Sequence, residues 1–413
     1  MRRGATVGLY LHVPFCPRLC WWCACRTELS APGRPAEHAQ TLEMELGLLA
    51  EALPAGIKLG RLHLGGGSPA MLGGERLAAL VARAMDAFTP TRGTEVVFEA
   101  ASFDHDEGVD AIVAALSRMM PVAVTLGFGA PGGPDGSLAL DTEVATIARV
   151  MRAGAVSVSA DVLVGLPGEA PDGFGRRLKA IIAARPARVI LTPWAHAPLR
   201  ARRQARLGGA APGFTARAAQ TDAAGEALSR AGYRLVGAAT WVRRGDPLLA
   251  AAAGDRLCWG FDGLNERSGD AVIGLGPSAV SRLPSGLAQN PGAYAAWRRM
   301  VLAGRLPAWR GHLSTAPSRL RADLVSDLVC RGRVEIDRLA RIHGPSARAL
   351  GPAVRRLIRD APAGMVVPLS GPGEGVGGFM LTRPGLDGAQ RCALALLEAL
   401  SRDADGALGA HVV

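Results

Sequence analysis

The chain has 413 residues, of which 49% are hydrophobic and 20% charged, and its formal net charge is +11 at pH 7. Such a composition is typical of a globular protein of two or three domains, and because no stretch approaches about 18 uninterrupted apolar residues we expect no membrane span. Lysine occurs only at Lys58 and Lys179, so the positive charge is arginine spread along the whole chain, which argues against nucleic acid binding although it suits a small substrate with several carboxylates.

The first predicted element is a strand at residues 8–13, which a cysteine-rich loop follows directly. The preceding residues are basic but run into this strand without a small-residue cleavage site, so the sequence predicts no signal peptide. Cysteines that are not spaced as a disulfide framework suit a reducing compartment. We therefore expect a cytoplasmic protein.

The loop after this strand contains four of the seven cysteines of the chain, at Cys16, Cys20, Cys23 and Cys25. Thiolates gathered so closely are typical ligands of iron–sulfur clusters and soft metals. The spacing Cys-x3-Cys-x2-Cys leaves a cubane cluster one protein ligand short, so one iron stays open to a small molecule. A structural zinc site is the alternative, although no Cys or His pair follows at the spacing of a zinc finger.

Short β-branched or apolar runs alternate with longer helical patterns through the first half of the chain. The alternation repeats every 30 residues or so, about the length of a βαβ unit, and predicts an α/β fold with a parallel sheet. Ligands of such sheets bind at the carboxyl ends of the strands. The predicted strands are residues 8–13, 61–64, 95–100, 122–128, 156–164 and 188–192, and the predicted helices are residues 36–53, 74–88, 107–119, 142–153 and 173–184.

Glycine-rich or acidic positions follow three of these strands. Gly65, Gly66 and Gly67 supply backbone N–H groups that suit a carboxylate or a ribose, although a triple glycine by itself is more often only a tight turn. Glu99 is suited to ribose hydroxyls or an ammonium group, with a solvated carboxylate as the alternative. Asp161 is flanked by apolar residues, so we expect a buried carboxylate that holds a ligand or a backbone turn.

The pattern changes beyond residue 206. Residues 234–241 and 270–275 suggest further strands, and helical periodicity dominates from about residue 294. A hairpin at residues 365–368 and 378–381 precedes a final helix at residues 387–401. Helices followed by a hairpin predict a compact, winged-helix-like module. The predicted domains are residues 1–205, residues 206–292 with additional strands, and the mainly helical residues 293–413.

Several of these motifs together resemble one known family. The cysteine loop, the triple glycine, Asp161 with Gly-Leu-Pro at residues 165–167, and Gly-Leu-Gly-Pro-Ser-Ala at residues 274–279 resemble the radical S-adenosylmethionine family of oxygen-independent coproporphyrinogen III oxidase and its relatives. The resemblance covers nearly the whole chain. It implies a partial (β/α)6 TIM-like barrel with a winged-helix-like C-terminal module, and the oxidative decarboxylation of coproporphyrinogen III propionates to vinyl groups in porphyrin and haem biosynthesis.

The resemblance also implies the cofactors and their binding residues. Cys16, Cys20 and Cys23 take the positions of the ligands of a [4Fe-4S] cluster, and Cys25 that of a fourth cysteine beside the cofactors that does not ligate iron. A tetrapyrrole substrate and a flavodoxin- or ferredoxin-type electron donor follow, and we expect a monomer. The residues assigned to S-adenosylmethionine are Tyr10 near the cluster, Trp22 beside the adenine, Gly66, Gly67 and Ser68 at the methionine part, Glu99 and Asp161 at the ribose, and Ala195 near the base.

The chain also departs from the family pattern. Gly127-Phe128-Gly129 stands where the family has a strand-end glutamine. The arginine that follows this glutamine in the family has no counterpart, because residues 129–148 contain no arginine. Ala239-Thr240 replaces an Asp-His pair. Three further functions therefore stay open: a related radical S-adenosylmethionine methyltransferase, a haem-degrading enzyme, and a haem-binding or haem-delivery protein that has lost the dehydrogenase activity.

Overall fold

A computed structural model of the chain describes residues 1–17, 19–23, 25, 27–101, 109–128, 140–169, 172–199, 202–205, 207, 211–260, 263–266, 269–371, 375–382, 388–389, 392–393 and 396–397. These residues divide into two compact units. The first comprises residues 1–190, 194–212 and 267–314, and the second residues 191–193, 213–266 and 315–413. No described helix is long and apolar enough to cross a lipid bilayer.

Strands and helices alternate along the first half of the chain. In chain order the strands are β1 (Thr6–Val13), β2 (Phe15–Cys16), β3 (Glu28–Leu29), β4 (Lys58–Gly66), β5 (Thr89–Ala101), β6 (Val122–Phe128), β7 (Ser157–Val164), β8 (Arg188–Pro193), β9 (Arg234–Val236), β10 (Thr240–Val242), β11 (Leu257–Gly260), β12 (Gly263–Glu266), β13 (Ala271–Leu275), β14 (Val280–Leu283), β15 (Gly286–Gln289), β16 (Arg310–Leu313), β17 (Arg333–Glu335), β18 (Val366–Ser370) and β19 (Val376–Leu381).

Helices connect successive parallel strands and dominate the C-terminal part. The α-helices are α1 (Arg34–Ala52), α2 (Gly74–Ala87), α3 (Val109–Ser117), α4 (Leu140–Arg152), α5 (Gly173–Ala183), α6 (Phe214–Arg230), α7 (Pro247–Ala253), α8 (Tyr294–Leu302), α9 (Ala316–Arg331), α10 (Ile336–His343), α11 (Pro345–Arg348) and α12 (Gly351–Asp360), and short 3-10 turns occur at Pro69–Leu72 and Arg202–Gln204.

The first unit is built on one sheet with the strand order β16-β15-β14-β13-β1-β4-β5-β6-β7-β8. The pairs from β13 through β1, β4, β5 and β6 to β7 are parallel, whereas β14, β15 and β16 extend the sheet in antiparallel pairs. Helices α1 to α5 alternate with the parallel strands. The prediction of an α/β fold with a parallel sheet is confirmed.

Strand β5 is longer than its sequence pattern indicates. It begins at Thr89, six residues before the predicted start at Glu95, and its pairing with β4 shifts register between Leu59 and Arg61. The added segment contains Pro90 and Gly93, which ordinarily argue against a strand interior and are tolerated at a bulge. The sequence pattern does not indicate the first six residues of β5 because the bulge interrupts the strand.

One face of this sheet forms the apolar core of the unit. The register aligns alternate residues of neighbouring strands, so Leu9 pairs with Leu62 and Leu62 with Val96. Residues so aligned point to the same side of the sheet. The side chains of this face are buried, and they include Leu9, Leu11, Leu62, Leu64, Val96, Phe98, Val124, Leu126, Phe128 and Val162.

The second unit contains an antiparallel three-stranded sheet, β17-β19-β18, with α9 to α12. Helix α9 begins with a capping box between Thr315 and Ser318 and ends at Gly332 in the left-handed region. The apolar core of this unit includes Leu328, Val354 and Phe379. The predicted hairpin is present as β18 and β19, in line with the winged-helix-like prediction, whereas the predicted final helix at residues 387–401 lies largely outside the described residues.

A buried carboxylate on α1 holds the turn after β13 and helix α8. Glu45 accepts hydrogen bonds of 2.8 Å from the backbone N–H of Gly276, from Nδ2 of Asn290 and from Nε1 of Trp297. Burial raises the pKa of Glu45 to about 7, although these three donors favour the ionised form. One side chain thus satisfies polar groups from two distant segments of the chain.

A buried ion pair joins α5 to the ends of β6 and β7. The guanidinium of Arg177 contacts both carboxylate oxygens of Glu169, at 2.9 and 3.1 Å. It also donates to the carbonyls of Phe128 and Leu163, at 3.2 and 2.9 Å. The side chain of Arg177 is 1% exposed and that of Glu169 is 9% exposed. Loss of the Arg177 side chain would leave the Glu169 carboxylate buried without a counter-ion.

We expect Arg177→Met to lower the free energy of unfolding by about 3–5 kcal/mol, because it leaves Glu169 buried and unpaired. Arg176→Met is the matched control. Arg176 pairs with Asp172, and because both side chains are 66% exposed this ion pair contributes at most about 1 kcal/mol. Urea unfolding of the metal-free chain measures both. Equal losses in the two variants would contradict this account of Arg177.

The titration of Glu45 predicts a pH-dependent stability. The folded pKa of about 7 lies above the ordinary value of 4.5, so the contribution of Glu45 to stability is full below about pH 4.5 and falls as the pH rises towards 7. The loss amounts to about 3 kcal/mol. In Glu45→Gln this fall should disappear, whereas Glu51→Gln, at an exposed site on α1, should keep it. Urea unfolding of each chain at both ends of this pH range decides the matter, and an unchanged slope in Glu45→Gln would refute it.

Candidate active site

The face of the sheet opposite the apolar core carries polar side chains. The register pairs Tyr10 of β1 with His63 of β4, and His63 with Val97 of β5. Glu99 lies two residues beyond Val97 and therefore points to the same side, and the same alternation places Asp161 of β7 on this face through β6. Residues from four strands thus share one polar surface, which we call the polar face.

His63 and Glu99 form a hydrogen-bonded pair on the polar face. Nε2 of His63 lies 2.7 Å from Oε1 of Glu99, and the N–H of Gly66 donates to Oε2 at 3.1 Å. Burial opposes ionisation of this carboxyl, but the charge and hydrogen bond of His63, with the Gly66 N–H, outweigh it and hold the pKa of Glu99 below its ordinary value. Glu99 is therefore an anion at neutral pH.

Tyr10 and His12 adjoin this pair. The hydroxyl of Tyr10 lies 3.3 Å from Nδ1 of His12. Its ring meets the ring of His63 edge to face, with centroids 5.2 Å apart. Aromatic and imidazole groups from β1 and β4 thus pack directly beside the carboxylate of Glu99.

The glycine turn after β4 is hydrogen-bonded to the beginning of the cysteine loop. The N–H of Gly67 donates to the carbonyl of Val13, and the N–H of Ser68 to the carbonyl of Phe15, both at 2.7 Å. A Cβ at Gly67 would overlap the Phe15 carbonyl and lie 3.1 Å from Sγ of Cys16. Gly66 has φ of +119°, a backbone conformation that favours glycine. The close approach of these two segments therefore requires glycine at both positions, and the N–H groups of Gly66 and Gly67, which were expected to suit a ligand, are used within the protein.

The four cysteines of the loop are reduced, with Cys16, Cys20 and Cys23 half-buried and Cys25 exposed. The N–H of Cys23 donates to the carbonyl of Cys20 at 3.2 Å, and the N–H of Cys25 to Sγ of Cys23 at 3.3 Å. Within the described residues no three His, Cys, Asp or Glu side chains converge on one metal ion. A cubane cluster does not require such convergence, because each thiolate binds a different iron, and three soft donors on one loop fit that group.

The segment after β8 meets the cysteine loop. Nε1 of Trp194 donates to the carbonyl of Trp22 at 2.9 Å. Ala195 and His196 follow and are exposed, and the ring of His196 stacks on that of Trp194 with centroids 5.5 Å apart. The structure therefore brings Trp22 and Ala195 into the same neighbourhood, and their assignment to the adenine of the cofactor stays a prediction.

A pocket of about 90 Å³ opens beside the carboxyl end of β1. Its lining combines the beginning of the cysteine loop with the turn after β13 and the start of α8. The lining residues are His12, Pro14, Thr27, Glu28, Pro277, Ser278, Gly292 and Tyr294. Its position next to His12 makes it continuous with the polar groups of β1.

Comparison with known proteins assigns this arrangement to a family. No protein-family model matches the chain. A curated protein of Paracoccus denitrificans, named oxygen-independent coproporphyrinogen III oxidase, is 32% identical over 356 residues, which span 84% of this chain and 78% of that protein. A protein of the same name from Cereibacter sphaeroides is 33% identical over 340 residues, covering 80% of this chain and 74% of its own length. The chain belongs to the oxygen-independent coproporphyrinogen III oxidase family.

A solved structure supports the fold of this family member. Coproporphyrinogen III oxidase from Escherichia coli, described as a radical SAM enzyme, aligns with a TM-score of 0.82 over 95% of this chain and 90% of its own, at 22% sequence identity. The predicted fold of the radical S-adenosylmethionine type is confirmed, and so is the resemblance on which the prediction rested.

Two features of this coproporphyrinogen oxidase family member differ from the sequence analysis. Asp161 is half-buried, because its position in the alternating pattern of β7 lies on the polar face, and the prediction of a buried carboxylate is wrong. The contact between His63 and Glu99 was missed, since the two residues lie 36 positions apart. The only sequence signal that His63 lies on the side of the binding site was its spacing. The two-residue alternation of a strand places His63 on the same face as Gly65 at the strand end.

Gly67→Ala tests the close packing of the glycine turn against the cysteine loop. We expect it to lower iron uptake in anaerobic reconstitution and to destabilise the chain by about 1–3 kcal/mol, because the added Cβ overlaps a backbone carbonyl. Gly93→Ala is the control, since its Cβ would meet nothing within 4 Å. Iron content and thermal midpoints measure both variants. Wild-type values in Gly67→Ala would contradict the geometry.

Proposed function

We propose that the protein is a radical S-adenosylmethionine enzyme that converts propionate side chains of coproporphyrinogen III to vinyl groups in porphyrin and haem biosynthesis. Each conversion removes a hydrogen atom, carbon dioxide and one electron from the side chain, and the electron passes to an external one-electron acceptor. The observation that carries the proposal is family membership joined to a loop of three half-buried thiols, packed on a glycine turn at the strand ends.

Two cofactors follow from this function, a [4Fe-4S] cluster and S-adenosylmethionine. When bound, the two cofactors together would supply one-electron cleavage of S-adenosylmethionine and, from it, the group that takes the substrate's hydrogen atom. Cys16, Cys20 and Cys23 would hold the cluster with one protein ligand fewer than a cubane takes, which would leave room for the amino and carboxylate groups of S-adenosylmethionine. The N–H of Cys25, 3.3 Å from Sγ of Cys23, stabilises the thiolate of that ligand without binding iron itself.

Side chains of the polar face supply some of the proposed contacts with S-adenosylmethionine. Because Glu99 is ionised, it is suited to accept hydrogen bonds from the ribose hydroxyls or from an ammonium group. The hydrogen bond with His63 keeps the Glu99 carboxylate in one orientation. The side of the site at β6 offers less, since Gly127, which pairs with Asp161, has no side chain. The proposed cofactor-binding residues are Tyr10, Trp22, Cys25, Gly66, Gly67, Ser68, Glu99, Asp161 and Ala195.

The substrate and partners follow from the same function. A net charge of +11, almost all of it from arginine, attracts the carboxylates of a tetrapyrrole substrate. It equally favours an acidic electron donor of the flavodoxin or ferredoxin type. We place the enzyme in the cytoplasm as a monomer.

Cys20→Ala and Cys25→Ala separate the proposed iron ligands from their neighbour. After anaerobic reconstitution, we expect Cys20→Ala to lose the cluster absorbance and all 5′-deoxyadenosine production, because a thiolate ligand is missing. Cys25→Ala should keep both, since its contribution is a backbone N–H that alanine retains. Iron analysis, absorbance and chromatography of the nucleoside measure the outcome.

The substrate is tested in the same reconstituted enzyme. Coproporphyrinogen III should raise the yield of 5′-deoxyadenosine and lose carbon dioxide, whereas haem should do neither. A wild-type protein that holds iron but forms no 5′-deoxyadenosine with coproporphyrinogen III would refute the proposed reaction. Turnover of haem, or tight haem binding without turnover, would favour the haem-degrading or haem-delivery alternatives.

A further inference from the structure

The peptide group between Trp22 and Cys23 is fixed from both ends. Its carbonyl, on Trp22, accepts two hydrogen bonds, from Nε1 of Trp194 at 2.9 Å and from Nε2 of Gln204 at 2.8 Å. Its N–H, on Cys23, donates to the carbonyl of Cys20 at 3.2 Å. A carbonyl has two lone pairs, so both acceptor sites of this group are used.

Gln204 is held in a single orientation. It is 0% exposed, and its Oε1 accepts from the N–H of Ala197 at 2.7 Å. This contact requires the amide oxygen to face Ala197 and therefore directs the amide nitrogen to the Trp22 carbonyl. The backbone carbonyl of Gln204 also lies 3.2 Å from Nε2 of His196. A buried polar side chain with its oxygen and nitrogen both used has no alternative rotamer of equal energy.

Trp194 anchors the same group to the sheet. It is 6% exposed, and its backbone N–H donates to the carbonyl of Val164, the last residue of β7, at 2.8 Å. Stacking against His196 further restricts its ring. The Trp22 carbonyl is thus held by two side chains whose own positions are set by β7 and by the 3-10 turn at Arg202–Gln204.

We propose that Gln204, together with Trp194, is a positioning residue for the proposed cluster: it holds the Trp22–Cys23 peptide so that the thiols of Cys20 and Cys23 keep one relative arrangement. This inference rests on the proposed function, because the arrangement matters for the iron that the thiols bind. The loop has little regular structure of its own, and its two thiols belong to residues that are only half-buried. Its geometry therefore depends on contacts from outside the loop.

The test compares Gln204→Leu with Arg202→Gln in the full chain. Leucine keeps most of the side-chain volume but neither hydrogen bond, whereas Arg202 is an exposed residue of the same 3-10 turn. In the metal-free protein we expect the Cys23 amide to exchange with deuterium about tenfold faster in Gln204→Leu than in the wild type, the effect of losing roughly one hydrogen bond. Arg202→Gln should match the wild type.

The reconstituted protein supplies a second reading. We expect Gln204→Leu to lose iron to a chelator faster, and the electron paramagnetic resonance spectrum of its reduced cluster to differ from that of the wild type. A general loss of stability alone would lower the thermal midpoint without changing that spectrum. Trp194→Phe keeps an aromatic ring against His196 and removes the other donor, so it should show effects of the same kind and serves if Gln204→Leu does not fold.

Unchanged exchange at Cys23, or an unchanged spectrum and rate of iron loss, in both Gln204→Leu and Trp194→Phe would overturn the positioning role. The exchange comparison uses the metal-free chain, so it stands whether or not the wild type binds a cluster. Failure of the proposed function is seen separately, as a wild-type protein that takes up no iron or forms no 5′-deoxyadenosine.

Discussion

The register of the parallel strands is the constraint on which the remaining features of the site depend. Because Leu62 and Leu64 of β4 align with the apolar residues of β1 and β5, His63 between them must point to the opposite side. A shift of one residue would bury His63 in the apolar core and expose leucines on the polar face. The same hydrophobic pattern that stabilises the sheet therefore also brings Tyr10, His63 and Glu99 together.

The cysteine loop takes its shape from segments far away in the sequence. The glycine turn after β4 supports its beginning through Val13 and Phe15, and the residues after β8 hold its middle at Trp22. This division of labour suits a site in which the reactive groups must stay accessible while their geometry stays fixed. Neighbouring segments, held in place by strands and buried side chains, therefore fix the geometry that the loop does not fix by itself.

Much of the fold could be predicted from the sequence, whereas the roles of the loop cysteines stay predictions. The β–α period and the spacing of Cys16, Cys20 and Cys23 are local patterns, and local patterns can be read along the chain. What could not be predicted are contacts between distant residues, such as the bond of Glu99 with His63 and the bond of Gln204 with Trp22. The residues around Gln204 show no hydrophobic periodicity, and nothing in their composition indicates that its side chain is buried.

The distance along the chain between Trp22 and Gln204 has a consequence for how the protein is made. The two residues are 182 positions apart, so the loop cannot reach its final geometry until about half of the polypeptide has been synthesised and folded. A nascent chain that has emerged only as far as β4 carries all four loop cysteines, exposed and unsupported. The loop that would hold the proposed cluster therefore gains its full support only after residue 204 has been synthesised, and its thiols are open to oxidation until then.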